Sequence, residues 1–149
     1  MFFVSQYTTN NAYRSSHEVE VLSSSPIELT RLLYKGAIDA VEASRIHLAK
    51  GQIRQRSTAI TKATLIVNEL SSALDVDRGG SLAIELRELY DYMQRQLTKA
   101  NIEQIDPPLA EVHSLLSSLY DAWLRVTPAE LYHQQDFQDT AEIGHSYSC

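Results

Sequence analysis

The chain has 149 residues, 44% of them apolar and 21% charged, which suits a single foldable domain and leaves out both a disordered polymer and a multidomain enzyme. Nineteen acidic residues outnumber thirteen basic ones, and the formal charge of −6 is concentrated at the end: residues 127–149 carry four acids and no Lys or Arg. A near-neutral body without a basic stripe excludes sequence-independent nucleic-acid binding as an expectation. The single cysteine, Cys149, precludes an intrachain disulfide, and the start, Met1-Phe2-Phe3-Val4, lacks the basic and apolar regions of a signal peptide or membrane span. A cytosolic protein is the expectation.

In chain order, residues 1–25 have no sustained period but hold Phe2, Phe3, Tyr7, Tyr13, Val19, Val21 and Leu22 in an otherwise polar stretch. A first helix opens at Ser25-Pro26 with Glu28 as a capping-box acid, and ends at Lys50-Gly51. Its apolar positions form two adjoining stripes, Leu29/Leu33/Ala37/Ala40 and Ile27/Tyr34/Ile38/Val41/Leu48. Gly36 is the exception to good helix design, since glycine is about 1 kcal/mol worse than alanine there. Something should approach the backbone at that point.

A second helix is predicted from about Ile53 to Leu74, with Ile53, Ile60, Ala63, Val67, Leu70 and Leu74 on one stripe and Ala59, Ile66 and Ala73 beside it. Asp75 to Ser81, with Gly79-Gly80, is predicted as a tight connection. The third helix runs through Leu82, Leu86, Leu89, Met93, Leu97 and Ala100. Asp106-Pro107 opens a fourth by cap and proline, with Leu109, Val112, Leu116, Leu119, Trp123 and Val126 at steps of three and four. Four amphipathic helices joined by short loops predict an all-α, antiparallel up-down four-helix bundle over residues 26–126. The extended segment 1–25 then precedes it, and an acidic tail 127–149, with a short fifth helix or none, follows.

No chemistry-bearing constellation emerges. Glu130 and His133 form a lone Glu-x-x-His pair in the tail, not on a bundle stripe, and His17, His47, His113 and His145 share no ligand spacing. There is no phosphate-loop or dinucleotide motif, and no inward-facing carboxylate on any stripe. No cofactor, metal or catalytic residue is assigned, and an enzyme is not expected. The first two helices carry more apolar flank than a bundle needs, which reads either as wider core packing or as a groove for an amphipathic partner helix. In the second case Tyr34, Ile38, Val41 and Ile66 stand exposed as contact residues.

Beyond these patterns, an ordered set of short motifs resembles the flagellin-specific export chaperones of bacteria, the FliS family. The set is Asn11-Ala12-Tyr13, Ser25-Pro26-x-x-Leu29, Leu33-Tyr34-x-Gly36-Ala37-Ile38, Leu70-Ser71-Ser72-x-Leu74-Asp75, Gly79-Gly80-x-x-Ala83, Leu89-Tyr90-x-Tyr92-Met93, Ala100-Asn101 and Trp123. Lys35, where the family commonly has an acid, and the long acidic tail depart from it. The resemblance implies a helical bundle that binds the C-terminal segment of flagellin in the cytosol, without metal or nucleotide, prevents early polymerisation and presents the client to the flagellar export gate. Charge and hydropathy patterning lead to no nucleic-acid partner and no membrane insertion as expectations, and an unfilled apolar groove invites a homodimer. The resemblance further implies that residues 1–25 act as a lid that includes Tyr13; with Tyr34, Ile38, Val41 and Ile66 from the groove reading, and with Ala73 and Tyr90, this gives the expected client-binding set. A four-helix regulatory adaptor for a different helical partner is the alternative.

Overall fold

The computed structural model describes residues 26–127. Four helices follow one another, α1 (Pro26–Ala49), α2 (Ile53–Ser72), α3 (Val76–Glu103) and α4 (Pro107–Arg125), each packed on its neighbours in sequence, with α4 closing back onto α1. Short turns between long helices force antiparallel neighbours, and two contacts show it directly for α1 and α4. Arg31 near the start of α1 donates to the Trp123 and Val126 carbonyls at the end of α4 (3.0 and 2.7 Å). Arg45 near the end of α1 holds Asp106 at the start of α4. The four-helix architecture predicted from periodicity is the one observed. The capping serine Ser25, the segment 1–25 with Tyr13, and any fifth helix in the tail lie outside the described residues.

Local signals account for the turns. Gly51 adopts φ +69°, and the Gln52 and Gly51 N–H groups donate to the His47 and Leu48 carbonyls (2.9 and 3.1 Å), a Schellman stop that only a residue free of Cβ makes without strain. Between α2 and α3 the chain departs from the expected connection. Asp75 caps a helical turn, its carboxylate accepting from the Arg78 N–H (3.2 Å), so that α3 starts at Val76. The break falls instead at Gly80, where φ 54° and ψ −132° kink the helix. Gly79 is needed as well, because a Cβ there would lie 2.7 Å from that of Ala83.

The core is a single cluster in which Tyr34, Val41, Val67, Met93, Leu97, Leu109, Val112 and Leu116 are fully enclosed. On α4 the predicted stripe is the observed one through Leu116, with Leu119 and Trp123 half-buried against the same cluster. Two assignments change. Leu82 is exposed, because the core face of α3 runs Ala83, Leu86, Tyr90, Met93, Leu97, Ala100 and the kink sets this register one residue later. Ile53 is exposed in the first turn of α2, and the inward position one turn on is taken by Arg56, 4% exposed.

Candidate functional site

On the flank of α1 that faces α2, a row of apolar and small residues keeps partial exposure. Leu29, Gly36 and Ala43 repeat at seven on α1, and Ala59, Ile66 and Ala73 repeat at seven on α2. In an antiparallel pair these two rows meet in order: Ile66 Cδ1 lies 3.4 Å from where a Gly36 Cβ would stand. By the same register Ala43 faces Ala59, and Leu29 faces Ala73. Ile66 is therefore the side chain nearest to Gly36, at a distance that a Cβ would meet as ordinary contact. All six residues keep some exposure, and Ala73 is the most open. Four of the six are Gly or Ala, so the strip is shallow and could receive side chains from another helix.

The predicted contact residues separate on this geometry. Tyr34 and Val41 are fully buried and Tyr90 is 3% exposed, so the expectation that Tyr34 and Val41 stand on the surface is overturned. The reason is angular: Tyr34 and Val41 are one heptad apart on the inner row of α1, which also holds Ile27. Ile38 and Ile66 are both half-buried but lie on opposite sides of α1. Ile38 is seven residues from both Arg31 and Arg45, which bind α4, so it belongs to the α1–α4 side, whereas Ile66 belongs to the α1–α2 strip. No single groove holds both.

Inside the bundle, the Tyr34 and Tyr90 hydroxyls hydrogen-bond each other, and the Trp123 ring lies 6.4 Å from that of Tyr34, which sets its indole beside the Tyr34 hydroxyl. Burial pushes both phenols above their ordinary range, so each remains a neutral hydroxyl. They act as a polar pin joining α1, α3 and α4. At the other end of the bundle, Arg56 donates to Gln104 Oε1 and the Asn101 carbonyl (both 3.3 Å), tying α2 to the left-handed stop of α3. Asp106 makes no side-chain cap to α4; its carboxylate instead takes a two-pronged bond from Arg45 (2.8 and 3.0 Å), which holds it below the usual carboxylate range. At the surface, Tyr92 donates to Glu111 (2.5 Å), and that bond raises its phenol.

Among the described residues no group of three or more His, Cys, Asp or Glu is placed to hold a metal, and no helix is long and apolar enough to cross a membrane. The strip is built of apolar and small side chains, a composition that suits contact with another polypeptide. The fold is that of a four-helix bundle with a partly exposed apolar strip between its first two helices. Residues 9–130 match the profile of the flagellar protein FliS family, and the chain belongs to that family. It is 37% identical over 120 residues to the flagellar secretion chaperone FliS of Salmonella typhimurium, covering 80% of this chain and 89% of that one. It is 35% identical over 108 residues to the flagellar secretion chaperone FliSB of Pseudomonas aeruginosa, covering 72% and 86%. With the FliS of Vibrio cholerae the identity is 29% over 134 residues, covering 89% and 95%. These relatives are named as chaperones, not as enzymes.

One signal escaped the reading of the sequence. From Ala43 to Asn68 there is no Asp or Glu, while Arg45, Lys50, Arg54, Arg56 and Lys62 are all basic. Averaging charge over the whole body hides this run; a sliding count would have found it.

Proposed function

We propose that the protein is a cytosolic secretion chaperone that holds the C-terminal segment of flagellin, prevents its premature polymerisation and delivers it to the flagellar export gate. Membership of the FliS family, whose relatives are named flagellar secretion chaperones, carries this reading. The open strip of Leu29, Gly36 and Ala43 against Ala59, Ile66 and Ala73 supports it, since an amphipathic helix laid there covers apolar surface that filament neighbours would otherwise cover. Ordering a client segment that is disordered when free consumes about 2–5 kcal/mol of the gross interaction, which keeps the complex reversible. In this reading residues 1–25, Tyr13 among them, lie over client-binding surface as a lid. Tyr34, Val41 and Tyr90 serve from beneath as the support of that surface, and a second copy occupies the strip when no client is present.

A pull-down with the C-terminal segment of flagellin tests the proposal. Ile66→Asp should weaken retention with the helical circular-dichroism signal intact, and Ile38→Asp, on the far side of α1, should weaken it less. Equal retention by wild type and Ile66→Asp would exclude the strip as the client site. Failure of wild type to retain the segment at all would exclude flagellin as the client. Removing residues 1–22 should raise the association rate, and an unchanged rate would rule out the lid.

A further inference from the structure

The basic run found in the structure lies at the α1–α2 turn, on the end of the bundle opposite the one from which residues 128–149 depart. Lys50, Arg54 and Lys62 are exposed, and none forms an ion pair with a described residue. With His47 and the exposed Ile46 and Ile53, 48% and 58% accessible, they lie on the last turn of α1, the turn that follows it and the first half of α2. His47, Arg54 and Lys62 also line an open depression between the two helices. The other cations of the run are already engaged, Arg45 by Asp106 and Arg56 by Asn101 and Gln104. An acidic chain with so concentrated an unpaired positive surface calls for an acidic occupant.

Residues 128–149 have the matching chemistry: Glu130, Asp136, Asp139 and Glu142, no Lys or Arg, and Phe137 and Ile143 placed among the acids. All but the first three residues of this segment lie beyond the family match, which ends at residue 130. Reach is sufficient. The 19 residues of α4 rise about 28 Å, whereas Asp136 and Glu142, nine and fifteen residues past Thr127, extend to about 30 and 50 Å. We propose that the acidic segment 128–149 docks on the cationic face formed by Lys50, Arg54 and Lys62 of its own chain, shielding that surface until a partner of like charge displaces it. Tethering favours the contact, because joining segment and site in one chain makes their encounter intramolecular. This inference does not depend on which client the chaperone holds.

The single cysteine provides the test. A nitroxide on Cys149 of the full-length, isotope-labelled protein should cause selective loss of amide signal over residues 47–62, compared with the outer face of α3 around Glu85 and Glu88. The loss should disappear in Asp136→Asn/Asp139→Asn/Glu142→Gln. It should disappear equally when ionic strength rises from about 0.01 M to about 1 M, which shortens the Debye length from about 30 Å to about 3 Å. Uniform or absent broadening overturns the proposal, and so does broadening that survives high salt. Mixing spin-labelled unenriched chains with enriched unlabelled ones distinguishes a second copy: broadening of the same amides in that mixture would assign the contact to another molecule and sink the intrachain form.

Discussion

Removing the Tyr34 hydroxyl should destabilise the protein more than removing its partner. Tyr34→Phe leaves the hydroxyl of Tyr90, a residue 3% exposed, with no other hydrogen-bond partner among the described residues. An orphaned buried polar group of this kind costs about 1–3 kcal/mol. Tyr90→Phe leaves the Tyr34 oxygen beside the Trp123 indole, a neighbouring donor that can take over as its partner, so only the net worth of one hydrogen bond is lost, about 0.5–1.5 kcal/mol. The double variant removes both hydroxyls and should cost little more than Tyr90→Phe alone, giving a clearly non-additive cycle. Urea unfolding of the four proteins, followed by circular dichroism with a common slope, measures all three terms. Equal single costs that simply add in the double variant would refute the idea of a shared pin. Since burial holds both phenols above their ordinary range, the penalties should also be flat between about pH 6 and pH 9, where neutral phenols do not titrate.

The two unusual glycines should respond oppositely to alanine: Gly36→Ala gains up to about 1 kcal/mol of helix propensity because its Cβ meets Ile66 at ordinary contact distance, whereas Gly80→Ala loses about 1–3 kcal/mol to its positive φ, as thermal melts will show. Asp106→Asn should cost about 0.2–1 kcal/mol, the range for a largely solvent-screened pair. The native carboxyl is depressed, so that contribution is fully present above the unfolded value near pH 4 and fades as pH falls through the lower folded value; a wild-type-minus-variant difference that grew on acidification would contradict this. Asn101→Ala removes the Oδ1 that accepts from Ser57 (3.0 Å) and Arg56 (3.5 Å) but keeps the backbone carbonyl that also accepts from Arg56, and should destabilise by about 0.5–1.5 kcal/mol, whereas an exposed control such as Lys99→Ala should change urea stability by under about 0.5 kcal/mol.

The sequence by itself determined the helices and their order. Period, Pro26 and Pro107 at helix starts and Gly51 at a helix stop act within a few residues of chain, and the described structure follows them. The ordered motifs likewise sufficed to point to the family. Which apolar residues are core was decided only by packing. A helix with two adjoining stripes can turn either inward, and a shift of one residue separates Leu82 from Ala83 and one of three residues Ile53 from Arg56. That rotation is set by the neighbouring helices and by a kink at Gly80, not by local propensity. For the same reason Tyr34 and Val41 passed from expected surface to interior, and Ile38 and Ile66 from one groove to two sides of α1. Asp106 shows the limit most simply: its position before a proline marks the helix start, but its carboxylate is bound by Arg45, sixty-one residues away in sequence, a partner that only the closed bundle brings within reach.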